Sequence, residues 1–126
     1  MKLKMRKLGV SIGAVAAITS VAFCSPAWPH GKLTQSTPAA NAMLTAAPKE
    51  VRVQFTEPLE GAFSGIQVTD SAGKQLTSDK AVIESGNSTA MHLPLPALKA
   101  GTYRVHWTAV TRDGHRIKGE YGFTVK

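Results

Sequence analysis

Val51, Val53 and Phe55 alternate with Arg52, Gln54 and Thr56, and this two-residue period constrains the fold of the chain more than any other feature. Side chains two apart share one face of a strand, so each such run describes a strand with one apolar and one polar side. The period returns at Tyr103, Val105, Trp107 and Ala109, opposed by Thr102, Arg104, His106 and Thr108. It returns again at Tyr121, Phe123 and Val125, and over a shorter span at Met91, Leu93 and Leu95. Ile66 and Val68 fit a strand that runs into an Asp70-Ser71-Ala72-Gly73 turn, with Lys74 to Thr77 as its returning arm. Thr37-Pro38, Ala47-Pro48, Ser85-Gly86-Asn87-Ser88 and Lys99-Ala100-Gly101 carry turn chemistry between these runs. About seven short strands in a single domain predict an all-β, antiparallel sandwich or Greek-key barrel, cupredoxin-like or immunoglobulin-like. The stretch from Pro38 to Thr45 reads as a connector that coils into one short turn of helix.

The first thirty residues have a different character. Lys2, Lys4, Arg6 and Lys7 precede an uncharged, mostly apolar run from Leu8 to Phe23, which ends at Cys24-Ser25-Pro26-Ala27. That is the order of a secretory signal peptide, and sixteen apolar residues fall short of the roughly 20 that span a bilayer. Residues 1–29 are therefore read as a cleaved signal and residues 30–126 as the exported domain, which predicts a periplasmic location. Small residues at Ser25 and Ala27 favour cutting after Ala27, whereas cutting after Pro29 makes His30 the first residue. The signal holds four of the fifteen basic residues and none of the eight acids, so its removal lowers the formal charge from +7 to +3. The basic balance thus belongs largely to targeting, and the scattered basic residues that remain do not suggest a nucleic-acid partner. Cys24 is the only cysteine, so the exported domain has no thiol and cannot form a thiolate metal site.

Chemistry concentrates in three residues. A histidine at a chain terminus offers a metal its free amine and its ring Nδ1, which together close a six-membered chelate ring. His30 has that position if processing exposes it. The Asp113-Gly114-His115 turn, directly after the Tyr103-to-Val110 strand, adds an imidazole and a carboxylate. Taken alone, Asp-Gly-His also suits an ordinary β-turn with a solvated histidine. Three nitrogens and an oxygen match the tetragonal geometry that Cu(II) prefers. Glu57 ends the Val51-to-Thr56 strand and serves either as an outer ligand, as an acceptor for a ligating imidazole, or as a plain surface carboxylate. His92 and His106 fall on the polar faces of their strands and are read as solvated. Met43 and Met91, the only methionines outside the signal, are read as packing residues.

The chain also resembles a known family. His30-Gly-Lys-Leu, Ser36-Thr-Pro-Ala, Val53-Gln-Phe-Thr-Glu57 and Phe63-Ser-Gly stand in the order seen in periplasmic copper-resistance proteins of the CopC/PcoC/YobA family. Gly101-Thr-Tyr-Arg-Val-His-Trp107, Asp113-Gly-His115 and Gly119-Glu-Tyr-Gly-Phe-Thr-Val125 complete the likeness, which covers residues 30 to 126. The resemblance implies a seven-stranded Greek-key β-barrel related to cupredoxins. It also implies Cu(II) binding by the amine and ring of the first mature residue, by an Asp-x-His and by a nearby glutamate. Carried over by position, these are His30, Asp113, His115 and Glu57. Some family members hold Cu(I) in a methionine-rich loop that this chain lacks, which implies a protein for Cu(II) alone. The chain departs from its relatives at Pro29, where they usually offer alanine to the signal peptidase.

The reading that follows is a monomeric, non-enzymatic, periplasmic Cu(II)-binding protein that buffers copper. It would also deliver copper to an inner-membrane copper transporter or another periplasmic copper protein. Two other readings are compatible with parts of the sequence: an oxidative copper enzyme built on a terminal histidine, and a metal-free immunoglobulin-like module.

Overall fold

The computed structural model describes residues 32–126, together with Gly9. The expected signal segment, its cleavage point and His30 lie outside the described residues. Eight strands follow one another: β1 (Leu33–Thr37), β2 (Met43–Leu44), β3 (Glu50–Phe55), β4 (Gly65–Thr69), β5 (Val82–Glu84), β6 (Asn87–Pro94), β7 (Gly101–Val110) and β8 (Arg116–Val125). They form two four-stranded sheets, ordered β1-β3-β6-β5 and β2-β8-β7-β4. Every connection except β5–β6 and β7–β8 passes from one sheet to the other, as in a Greek-key sandwich.

The alternation places the core where the sequence predicts it. Val51, Val53 and Phe55 of β3 are buried beside Met91 and Leu93 of β6 in one sheet. Val68 of β4, Tyr103, Val105 and Ala109 of β7, and Tyr121, Phe123 and Val125 of β8 close the core from the other. Phe55 meets Trp107 edge-on, with ring centroids 5.0 Å apart and an interplanar angle of 66°. Such a pair adds about 0.5–1.5 kcal/mol beyond its buried area. The Trp107 ring lies over Gly119, its partner across the β7–β8 ladder. A Cβ at Gly119 would come within 2.3 Å of Trp107 Cζ2, so only glycine fits there.

Four expectations need correction. The Pro38-to-Thr45 connector does not form a helical turn. Asn41 takes a left-handed φ of 63°, its N–H donates to the Gly122 carbonyl at 2.7 Å, and Thr124 N–H donates to the Ala42 carbonyl at 2.8 Å. The open edge of β8 thus outcompetes the local helical preference, and Met43–Leu44 becomes a two-residue strand. That strand runs parallel to β8, so the sandwich is not wholly antiparallel. The count is eight strands instead of about seven, because β1, β2 and the three-residue edge strand β5 show no two-residue apolar period. β5 is held to the sheet by Arg52, whose guanidinium grips the Glu84 carboxylate through Nε and through Nη2, the latter at 3.1 Å. The returning arm after the Asp70 turn is only a bridge between Thr69 and Gln75, closed by Leu76 N–H to the Val68 carbonyl at 2.8 Å.

Candidate metal centre

β7 and β8 pair without interruption from Gly101 opposite Val125 to Val110 opposite Arg116, so the hairpin delivers its loop at a fixed height above the sheet. Within the loop, Gly114 N–H donates to the Thr111 carbonyl at 2.9 Å, and Thr111 N–H donates to the His115 carbonyl at 2.9 Å. Gly114 has φ of 91°, a left-handed conformation that side-chain-bearing residues seldom adopt. This is the pattern of a tight hairpin loop that ends on a left-handed glycine. It explains the Asp-Gly-His order physically. The glycine reverses the chain, so its two neighbours return to the same side.

Asp113 and His115 do meet. His115 Nδ1 stands 3.0 Å from Asp113 Oδ2, and both side chains are roughly half exposed, at 55% and 45%. Asp113 Oδ1 accepts from the Thr111 hydroxyl and, at 3.4 Å, from the His115 backbone N–H. These donors, Thr111 foremost and then His115, hold the Asp113 carboxyl down at about 2. The group is thus an anion at any physiological pH. Two donor atoms each about 2.0 Å from a metal and at right angles to it stand about 2.8 Å apart. The observed 3.0 Å therefore fits adjacent corners of a tetragonal site as well as it fits a hydrogen bond.

The backbone brings Glu57 to the same end of the sandwich. Arg112 N–H donates to the Pro58 carbonyl at 3.2 Å, Glu60 N–H donates to the Val110 carbonyl at 2.7 Å, and Leu59 bridges to Thr111. The segment from Glu57 to Glu60 is thereby laced to the base of the Asp-Gly-His loop. Lys32 enters beside it, with Lys32 N–H donating to Thr56 Oγ1 at 3.0 Å and Thr56 N–H donating to the Lys32 carbonyl at 2.9 Å. Among the described residues, no three His, Cys, Asp or Glu side chains converge as a metal site. Asp113 and His115 supply two donors and need others.

His106 lies on the partly exposed strand face expected of it, but its ring is paired there. Its Nε2 lies 3.1 Å from Thr69 Oγ1 and its Nδ1 lies 3.2 Å from Glu120 Oε2, so both ring nitrogens have protein partners. It stands opposite Glu120 in the middle of the β7–β8 ladder, well away from the loop. His92 pairs across the sheet with Arg52 and Val82 and belongs to the opposite sheet. The residue that sequence reasoning missed is Thr111, buried to 1% exposure beneath the loop. Its signal in the sequence is a hydroxyl two positions before the aspartate.

A family model described as the CopC domain matches residues 33–126. The chain belongs to the CopC family. It is 38% identical over 114 residues to protein YobA of Escherichia coli (strain K12), with 90% of this chain and 92% of YobA covered. It is 36% identical over 116 residues to copper resistance protein C of Escherichia coli, with 86% and 90% covered. Among solved structures, CopC from Methylosinus trichosporium OB3b superimposes with a TM-score of 0.73 at 33% identity, covering 77% of this chain and 94% of that one. The family and the fold expected from the sequence are thereby shown.

Proposed function

We propose that this chain is an exported protein that binds one Cu(II) and passes it on, without catalysing a reaction. In this reading residues 1–29 are removed and the chain begins at His30. Its amine and Nδ1 then join Asp113 Oδ2 and the His115 imidazole around the metal. Lys32 is pinned beside Thr56, and two residues of extended chain reach at most about 7 Å further. Glu57, at the same end, accepts a hydrogen bond from a ligating group or approaches the metal from outside.

The observation that carries the reading is the 3.0 Å spacing between an anionic carboxylate oxygen and an imidazole nitrogen on one rigid hairpin loop. The donor chemistry supports copper in its oxidised form. Nitrogen and oxygen donors suit Cu(II), which stands at the top of the divalent affinity order, and the exported domain has no thiol to favour Cu(I). The half-exposed ligands suit exchange, because a partner's donors can reach the ion before the first ones leave. The relatives named for copper resistance support the same direction. The receiving partner in this reading is an inner-membrane copper transporter or another periplasmic copper protein.

Two measurements test the proposal together. Intact mass of the exported protein should give a chain that begins at His30. Anaerobic and aerobic competition titrations should give one tightly bound Cu(II), with Cu(I) and Zn(II) held far more weakly. Tight Cu(I) binding with weak Cu(II) binding would mean that other residues hold the metal.

A further inference from the structure

We propose that Thr111 is a positioning residue that makes Asp113 a one-oxygen ligand, bound through Oδ2 alone. The inference rests on the metal site proposed above and deepens it. Thr111 is 1% exposed, so its hydroxyl has to find partners inside the loop. Its Oγ1 donates to Asp113 Oδ1, with the His115 carbonyl as a second acceptor at 3.3 Å. The His115 backbone N–H approaches the same Oδ1 at 3.4 Å. Two donors therefore converge on one carboxylate oxygen. The other, Oδ2, is left beside the His115 ring, 3.0 Å from Nδ1.

An ionised carboxylate can accept through both oxygens, and one that rotates freely can also chelate a metal through both. Chelation through both oxygens is the habit of larger ions with more ligands. A tetragonal Cu(II) site asks for a single donor atom at each corner. Tying Oδ1 to a buried hydroxyl selects that mode before any metal arrives. Because Thr111 also bridges to Leu59, the hydroxyl is anchored to the Glu57–Glu60 segment as well as to the hairpin.

The test uses the mature protein beginning at His30, with Cu(II) as the probe. Electron paramagnetic resonance spectra and competition titrations would be compared for Thr111→Val, Thr111→Ser and Asp113→Ala. Valine keeps the shape of threonine and loses the hydroxyl, whereas serine keeps the hydroxyl. Thr111→Val should weaken Cu(II) binding by about 10- to 100-fold, as loss of a group that orients a ligand does, and should change the copper hyperfine splitting. Thr111→Ser should return both to the parent values. In the Asp113→Ala background the valine change should have no further effect on copper, because the residue acts only through that carboxylate. If valine is not accommodated, Thr111→Ala against Thr111→Ser makes the same comparison with smaller side chains. Unchanged spectra and affinity in the hydroxyl-free variants, with Asp113→Ala altering both, would overturn the role of Thr111 and leave the site standing. An Asp113→Ala protein that binds Cu(II) with the parent spectrum would overturn the site itself.

Discussion

Asp113 and His115 owe their meeting to Gly114, and Asp113 owes the lowering of its pKa chiefly to Thr111. The carboxyl titrates at about 2 in the folded protein, below its value of about 3.9 in an unfolded chain. Its contribution to stability is therefore complete above pH 4 and is lost as the pH falls from about 4 through 2. Carbon-detected NMR of the metal-free protein should show the Asp113 carboxyl with a midpoint near pH 2, and a midpoint near 4 would contradict the hydrogen-bonded loop. The same residue scale separates ligand from decoy. His115→Ala should weaken Cu(II) binding strongly and alter the paramagnetic resonance spectrum, since it removes a nitrogen donor. His106→Ala should cost at most about 1 kcal/mol of stability, from its exposed pairing with Glu120, and leave copper binding intact. An equal or larger effect of His106→Ala on copper would relocate the site.

At the scale of elements, the β7–β8 hairpin works because Trp107 is allowed to lie flat over Gly119. Gly119→Ala would force a Cβ to within 2.3 Å of the indole and should destabilise the protein by about 1–3 kcal/mol, the range of an overpacked core. Thermal unfolding checks this, and a melting temperature equal to the parent's would mean that Trp107 packs elsewhere. Tyr121 makes a converse case. Among the described residues, its buried hydroxyl has no partner that satisfies hydrogen-bond geometry. Ser36 is near enough to draw its pKa down slightly, but burial dominates and pushes the phenol up to about 12. Tyr121→Phe should therefore be neutral or stabilising by up to about 1 kcal/mol. A clear loss of stability would reveal a partner for that hydroxyl.

These elements also show what the sequence could disclose. β3, β7 and β8 are long enough for alternation to expose both their existence and their buried faces, and β3 with β7 carries the contact between Phe55 and Trp107. β2 has two residues and β5 has three, so their positions depend on the neighbouring strand edges that accept them. Asp113 and His115 were legible because they are neighbours along the chain with a glycine between them. Thr111 was not, because its role arises only when the hairpin bends its hydroxyl under the carboxylate. The pairing of His106 with Thr69 and Glu120 was not legible, because alternation assigns a residue to a face without saying which side chains share it.

For the molecule as a whole, the proposed ligand set is split between the chain terminus and the β7–β8 hairpin of one sandwich. Such a split site assembles only in the folded protein, so Cu(II) should stabilise the fold in proportion to its occupancy. A donor role for the free amine of His30 is at the centre of the proposed site. It is tested most directly by a Cu(II) competition titration that compares a chain beginning at His30 with one beginning at Trp28. Pro29 has no backbone N–H to release, so the longer terminus cannot form the usual square-planar chelate of a third-position histidine. The His30 chain should bind Cu(II) at least about 100-fold more tightly, since losing a chelating ligand costs no less than losing a group that only orients one. Equal affinities for the two chains would contradict it.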